Sequence, residues 1–193
     1  MREGKIMIDK ILEYNKEFVK EGRAKAFETS KFPDRKLAIV TCMDTRLTEM
    51  LPAALGIKNG DAKIIKDAGG MIVHPFGSVV RSILIAIYEL GVEDIMVIGH
   101  TDCGVQHMDV AEMEAKMMEA GIPEETFHNM RYYGIDFDQW MGGFDCVETA
   151  VQESVERLQH HPLIPDKVDI YGYVIDTCTG ELHEVVAPDH KKI

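Results

Sequence analysis

Two short segments, Cys42-Met43-Asp44-Thr45-Arg46 and His100-Thr101-Asp102-Cys103-Gly104, place three soft metal donors and a charged pair in one chain. Cysteine thiolates and a neutral imidazole suit Zn²⁺, and three protein ligands with the fourth position open mark a catalytic rather than a structural zinc. The paired C-x-x-C knuckles of a structural zinc finger do not occur in the sequence. Taken singly, each cysteine also fits a small buried hydrophobe, so the reading rests on the set Cys42, His100 and Cys103 together. Asp44 and Arg46 stand two apart, which on an extended segment projects both side chains to the same side. On an ordinary surface such a pair contributes ~0–1 kcal/mol. Beside a zinc it has a specific use, because a carboxylate held by a guanidinium can accept a hydrogen bond from the metal's water and aim the oxygen at substrate.

The elements that must position these residues can be read from hydrophobic periodicity. Leu37 to Val40 and Ile95 to Ile98 are short apolar runs expected as buried strands, delivering Cys42 at one carboxyl end and His100 with Cys103 at another. Open α/β sheets bind ligands there, and the two segments converge if the strands are parallel neighbours. Further strands are expected over residues 62–65 and 168–175, with residues 181–186 returning as an antiparallel edge. The expected fold is therefore α/β, a mostly parallel four-stranded sheet plus one antiparallel edge strand, flanked by helices. Ile8, Ile11, Leu12, Phe18 and Val19 fall on one face of a first helix. Ser78 reads as the cap of a helix that carries Val79 to Ile87 and stops at Gly91. A third helix pattern, from Met108 to Ala120, holds four of the twelve methionines, read as core packing. Residues 131–143 read as irregular, and a long helix from Val147 ends near Pro162. Gly69-Gly70 fits either a tight loop close to a site or an ordinary turn.

Composition narrows the partners. The chain has 193 residues and a formal charge of −12, a length suited to one domain and an acidity that disfavours nucleic acid and anionic membranes. No apolar run approaches the ~20 residues of a membrane span, and charges interrupt the amphipathic start where a signal peptide would be apolar. Four scattered cysteines do not make a disulfide scaffold. A cytoplasmic protein acting on a small molecule is the expectation.

C-x-D-[ST]-R followed by H-x-x-C-G resembles the zinc signature of the β-class carbonic anhydrases. The resemblance extends to Lys66-Asp67-Ala68-Gly69-Gly70, similar to the family's Asn-Ala-Gly loop, to Arg81-Ser82 and to Pro162-Leu163-Ile164-Pro165. It spans residues 5–186 and is nearest the compact prokaryotic and archaeal members. It implies a single domain over 1–193 with 1–30 as a helical arm, and a homodimer or higher homo-oligomer in which that arm embraces the partner. It also implies zinc held by Cys42, His100 and Cys103, with water or hydroxide as fourth ligand. The implied activity is reversible hydration of CO₂, with Asp44 orienting the hydroxide and Arg46 holding Asp44 as the catalytic pair.

Three positions depart from the family pattern. Thr45 replaces the commoner serine, and Asp67 stands in place of asparagine, adding a possible negative charge near the site. Ile39 occupies the place of a tryptophan that some members use in an inhibitory bicarbonate site, so no such switch is expected. Two other readings remain open: a related hydrolase of carbon disulfide or carbonyl sulfide, and a catalytically silent zinc-binding regulator. His107, His128 and His183 lack partners at ligand spacing and read as structural or surface groups. His160-His161 fits a helix end, Cys146 packing on the long helix, and Cys178 a turn.

Overall fold

A computed structural model describes residues 3–188, which divide into two compact units between Lys31 and Phe32. The first unit holds α1 (Glu3–Lys20) and a 3-10 turn over Arg23–Phe27. Gly22, at φ 65°, allows the chain to reverse between them. Phe18 packs against Phe27 with ring centroids 6.2 Å apart, and the Arg23 guanidinium lies 5.0 Å from the Tyr14 ring centroid. Ile8, Ile11, Leu12 and Val19 of α1 are exposed.

The second unit is built on one sheet of five strands: β1 (Leu37–Cys42), β2 (Ala62–Asp67), β3 (Asp94–His100), β4 (Asp169–Ile175) and β5 (Leu182–Val186). Their order is β2-β1-β3-β4-β5, with the first four parallel and β5 antiparallel to β4, which is the expected α/β architecture. The central strands are apolar almost throughout because both faces are covered. Ala38, Val40, Ile95 and Val97 join one apolar cluster with Val80, Ile83 and Ile87 of α3 (Ser78–Leu90) and Val151, Val155 and Leu158 of α7 (Val147–Gln159). Ile39 and Ile98 join a second with Leu47 and Leu51 of α2 (Leu47–Ala54). β1 and β3 are neighbours in register Thr41↔Ile98, so Cys42 and His100 leave the sheet side by side.

Glycines set how closely α7 approaches. A Cβ at Gly99 would lie 2.7 Å from Val147 Cγ2 and 2.8 Å from Val151 Cγ2, and one at Gly172 would lie 2.9 Å from Val151 Cγ1. Valine is stiff about χ1 and cannot turn away cheaply.

Several local expectations are corrected. Residues 131–143 are not wholly irregular: α5 (Glu124–Tyr132) runs into the segment and α6 (Phe137–Met141) lies inside it. Their anchors, Phe127 and Phe137, are buried with ring centroids 5.5 Å apart, and Asp136 caps α6 by accepting from Gln139 N–H at 2.9 Å. The methionine-bearing α4 (Val110–Glu119) buries none of its residues, so Met113, Met117 and Met118 do not pack in the core. Its start is fixed by Asp109, whose Oδ1 accepts from Ala111 N–H at 2.8 Å. Gly77 rather than Ser78 holds the cap position of α3, while Gly91 ends that helix at φ 72° as expected. Cys146 is exposed at the cap position of α7, with its thiol donating to Glu148 Oε2 at 3.0 Å, and is not a packing residue. Among the described residues no helix is long and apolar enough to cross a membrane.

Gly99→Ala is expected to destabilise the protein by roughly 1–3 kcal/mol, because the new methyl must displace two branched side chains in a packed layer. Urea unfolding of the variant measures this, and an unchanged midpoint would show slack between α7 and β3.

Candidate metal centre

Cys42 ends β1, His100 ends β3, and Cys103 follows on the turn after β3, so adjacent parallel strands deliver all three donors to one place. All three are buried, and their donor atoms lie within 4.8 Å of one another. Among the described residues this is the one such cluster. Cys42 Sγ and Cys103 Sγ are 3.9 Å apart. Two thiolates bound to one zinc at about 2.3 Å in tetrahedral geometry stand about 3.8 Å apart, so the sulfurs already have the required separation.

The imidazole is also set for a metal. A carbonyl can only accept, so His100 Nδ1 donates to Thr101 O at 2.9 Å and Nε2 carries the lone pair. His100 Nε2 is buried with no hydrogen-bond partner, an arrangement that normally costs free energy and that a cation would relieve. Thr177 Oγ1 donates to the same Thr101 carbonyl at 3.4 Å, while Thr177 N–H donates to Thr101 Oγ1 at 3.0 Å. The turn after β4 thereby fixes the loop that carries His100.

Gly69-Gly70 resolves as a loop at the site. Gly69 N–H donates to Cys42 Sγ at 3.3 Å. Gly70 has φ 67°, and a Cβ there would lie 2.9 Å from Cys42 N. Both the backbone conformation and the close approach require glycine. The Cys42 thiol is brought down to about 7: burial alone pushes it up, but the His100 imidazole in its protonated form and the backbone N–H groups of Asp44 and Gly69 outweigh burial. The Cys103 thiol is pushed up by burial and by the charges of Cys42 and Asp44. One thiolate therefore forms readily and opposes the second, a repulsion that a divalent cation removes.

Asp44 and Arg46 pair, but across a turn into α2 rather than along an extended segment. Arg46 N–H donates to Asp44 Oδ1 at 2.8 Å, Nε donates to Oδ1 at 3.0 Å, and Nη2 donates to Oδ2 at 2.8 Å. These bonds to Arg46 hold the carboxylate down to about 2, against the opposing effect of partial burial. Its Oδ2 lies 3.9 Å from His100 Nε2, at the edge of the donor cluster. Sequence reading passed over Asp102: Arg46 Nη1 donates to Asp102 Oδ2 at 2.8 Å and Nη2 to Asp102 O at 2.7 Å. The available signal was an acidic residue inside the His100–Cys103 turn, but its partner is 56 positions away.

Asp67 is half-buried at the end of β2, in register with Cys42, and its main-chain oxygen accepts from Met43 N–H at 2.7 Å. Burial pushes its carboxyl up to about 6, only partly offset by the backbone N–H groups of Gly70 and Met71, and Oδ1 has no partner. The other candidates lie outside the cluster. His107 is exposed with Nδ1 3.3 Å from Asp145 Oδ1, and His128 and Cys178 are exposed. His183 is also exposed, 3.9 Å from Glu181 Oε2. His160 Nδ1 donates to the carbonyl of Glu156 at 2.8 Å at the end of α7, and buried His161 donates from Nε2 to Pro75 O at 2.8 Å.

A mostly parallel α/β sheet with a buried Cys₂His cluster at its carboxyl edge defines a class of protein with a candidate soft-donor metal site. The carbonic anhydrase family model matches residues 37–182, and the chain belongs to that family. The Bacillus subtilis protein YtiB, a provisionally named carbonic anhydrase, is 49% identical over 180 residues, covering 93% of this chain and 96% of that one. The crystal structure of β-carbonic anhydrase isoform I from Trichomonas vaginalis superposes with a TM-score of 0.86 at 33% identity, covering 94% of this chain and 98% of that chain. A carbon disulfide hydrolase of Saccharolobus solfataricus is 31% identical over 163 residues, covering 78% of each chain.

Asp67 gives a pH signature. Its folded pKa of about 6 lies above the ordinary value of 3.8, so the folded state binds the proton more tightly and stability falls as pH rises from 3.8 through 6. Two pH units correspond to about 2.7 kcal/mol, which solvent around the half-exposed group reduces to roughly 1–2 kcal/mol. Asp67→Asn should therefore be more stable than the parent by that amount above pH 6.5 and nearly equal to it at pH 4, read from denaturation midpoints across the range. Gly70→Ala should lower zinc affinity at least tenfold in a competitive chelator titration, since the methyl group displaces the backbone of Cys42.

Proposed function

We propose that this chain catalyses the zinc-dependent, reversible hydration of CO₂ to bicarbonate and a proton, with Cys42, His100 and Cys103 as the metal ligands. The observation that carries this reading is the buried, unpartnered His100 Nε2 facing two sulfurs 3.9 Å apart, with a carboxylate fixed at the rim. Zinc, when bound, supplies a Lewis acid that lowers the pKa of a coordinated water to about 7.

The side chains of this chain do the rest. Asp44, ionised throughout the neutral range, accepts a hydrogen bond from the attacking water and leaves its lone pair directed at the carbon. Arg46 offers Asp44 three donors and so prevents rotation of the carboxylate. The new C–O bond forms as one C=O π pair moves onto oxygen, and the water's proton passes to buffer. Ile39, Leu47, Leu51, Ile98 and Ile175 pack with Cys42 and Cys103 in one apolar cluster, which keeps water from the inner side of the donors.

Stopped-flow CO₂ hydration by zinc-loaded protein at pH 7–9 is expected to exceed the buffer rate by several orders of magnitude, and Asp44→Asn to reduce kcat on the order of 10²-fold with zinc retained. A parent rate equal to buffer, with one zinc bound per chain, would leave the silent regulator. The carbon disulfide hydrolase relative supports a second reading, so carbon disulfide and carbonyl sulfide belong in the same assay; faster turnover of either would replace CO₂ as substrate.

A homo-oligomer belongs to the same reading, supported by the exposed apolar residues of α1. Light scattering on the eluted protein should give at least twice the 21.7 kDa chain mass. A monomer at micromolar concentration would remove the oligomer from the proposal.

A further inference from the structure

Arg46 makes more bonds than the orientation of Asp44 requires. Its Nε and Nη2 serve the Asp44 carboxylate, while Nη1 donates to Asp102 Oδ2 and Nη2 also donates to Asp102 O. Asp44 follows β1 and lies two residues past Cys42; Asp102 lies between His100 and Cys103. The guanidinium thus joins the two loops that carry the donors, one on each side. Its planar fork suits this role because two edges can be engaged at once with little loss of freedom. Asp102 is held at φ 55°, a left-handed conformation that aspartate tolerates better than most residues. That conformation directs its own carbonyl and its carboxylate toward the same arginine. Asp102 is otherwise largely exposed, so no burial requirement accounts for its placement.

We propose that Asp102 is a positioning residue that holds Arg46 from the side opposite Asp44, making the guanidinium a strap between the Cys42 loop and the His100–Cys103 loop. This rests on the zinc site proposed above. Removing the carboxylate leaves Arg46 one carbonyl on the second loop, and the spacing of the donors loosens.

The backbone at Asp102 dictates the variants. Alanine would strain the left-handed conformation, whereas Asp102→Gly removes the side chain and keeps both the backbone and the carbonyl bond, and Asp102→Asn keeps an acceptor oxygen without the charge. The first measurement is the rate at which zinc passes from the zinc-loaded protein to excess chelator, which needs no substrate. Asp102→Gly should release zinc three- to tenfold faster than the parent, with Asp102→Asn within twofold of it. In CO₂ hydration, kcat should fall three- to tenfold in Asp102→Gly with the same rescue by asparagine. The Arg46→Ala background supplies the decisive comparison. If Asp102 acts through Arg46, adding Asp102→Gly to Arg46→Ala should change zinc release by less than 1.5-fold, whereas an independent role would give the same factor in both backgrounds. Zinc release unchanged in Asp102→Gly, or the same factor in both backgrounds, overturns the strap. A parent that binds zinc but does not hydrate CO₂ overturns the proposed activity and leaves the zinc-release test of Asp102 intact.

Discussion

Two sulfurs and an imidazole nitrogen from sequence positions far apart must be brought within 4.8 Å of one another and kept dry, and the rest of the second unit is organised around that demand. Side chains alone cannot meet it, since burying such groups together without a cation leaves a lone pair unsatisfied and sets one thiolate against the other. The parallel sheet meets the geometric part. Neighbouring strands run a fixed distance apart, and β1 and β3, paired in register, end together. Their last residues are held in place by ladder hydrogen bonds that exist for reasons of their own.

Loops then perform the finer adjustment, each by a different physical means. Gly70 lets one backbone approach another more closely than any side chain would permit, and Gly69 directs an N–H at Cys42 Sγ. The turn after β4 fixes the His100 loop through Thr177 and Thr101. Arg46 supplies charge-assisted bonds across the open side. The centre is thus restrained by close packing below and by hydrogen bonds on its flanks, with the partly exposed Asp44 carboxylate at its rim.

How far the sequence revealed this depends on the range of the interaction that decides each feature. The strands were legible because Leu37 to Val40 and Ile95 to Ile98 are apolar runs with no competing helical period, and the donor set was legible because its residue types are uncommon together. The Asp44–Arg46 pair was foreseen, but its turn geometry was not, since spacing alone does not separate an extended segment from the entrance to a helix. Asp102 and Thr177 escaped notice because their partners are distant in the chain and no local pattern marks them. The short helix at Phe137–Met141 was hidden by a composition rich in aromatics, aspartate and glycine, and is revealed by the burial of Phe137 against Phe127. The methionines of α4 were misjudged because periodicity reports that a face is apolar, not how fully it is covered: Met113 and Met117 are half-buried and Met118 is exposed.

Gly99 immediately precedes His100, and Val151 of α7 rests on Gly99 and Gly172 together. Through this contact a helix that contributes nothing to the donor set governs where β3 comes to rest. Mutational drift on that face of α7 would therefore be read out as altered placement of His100 together with lost stability. Val147 and Val151 belong to the inheritance of the metal centre as firmly as the residues that face it.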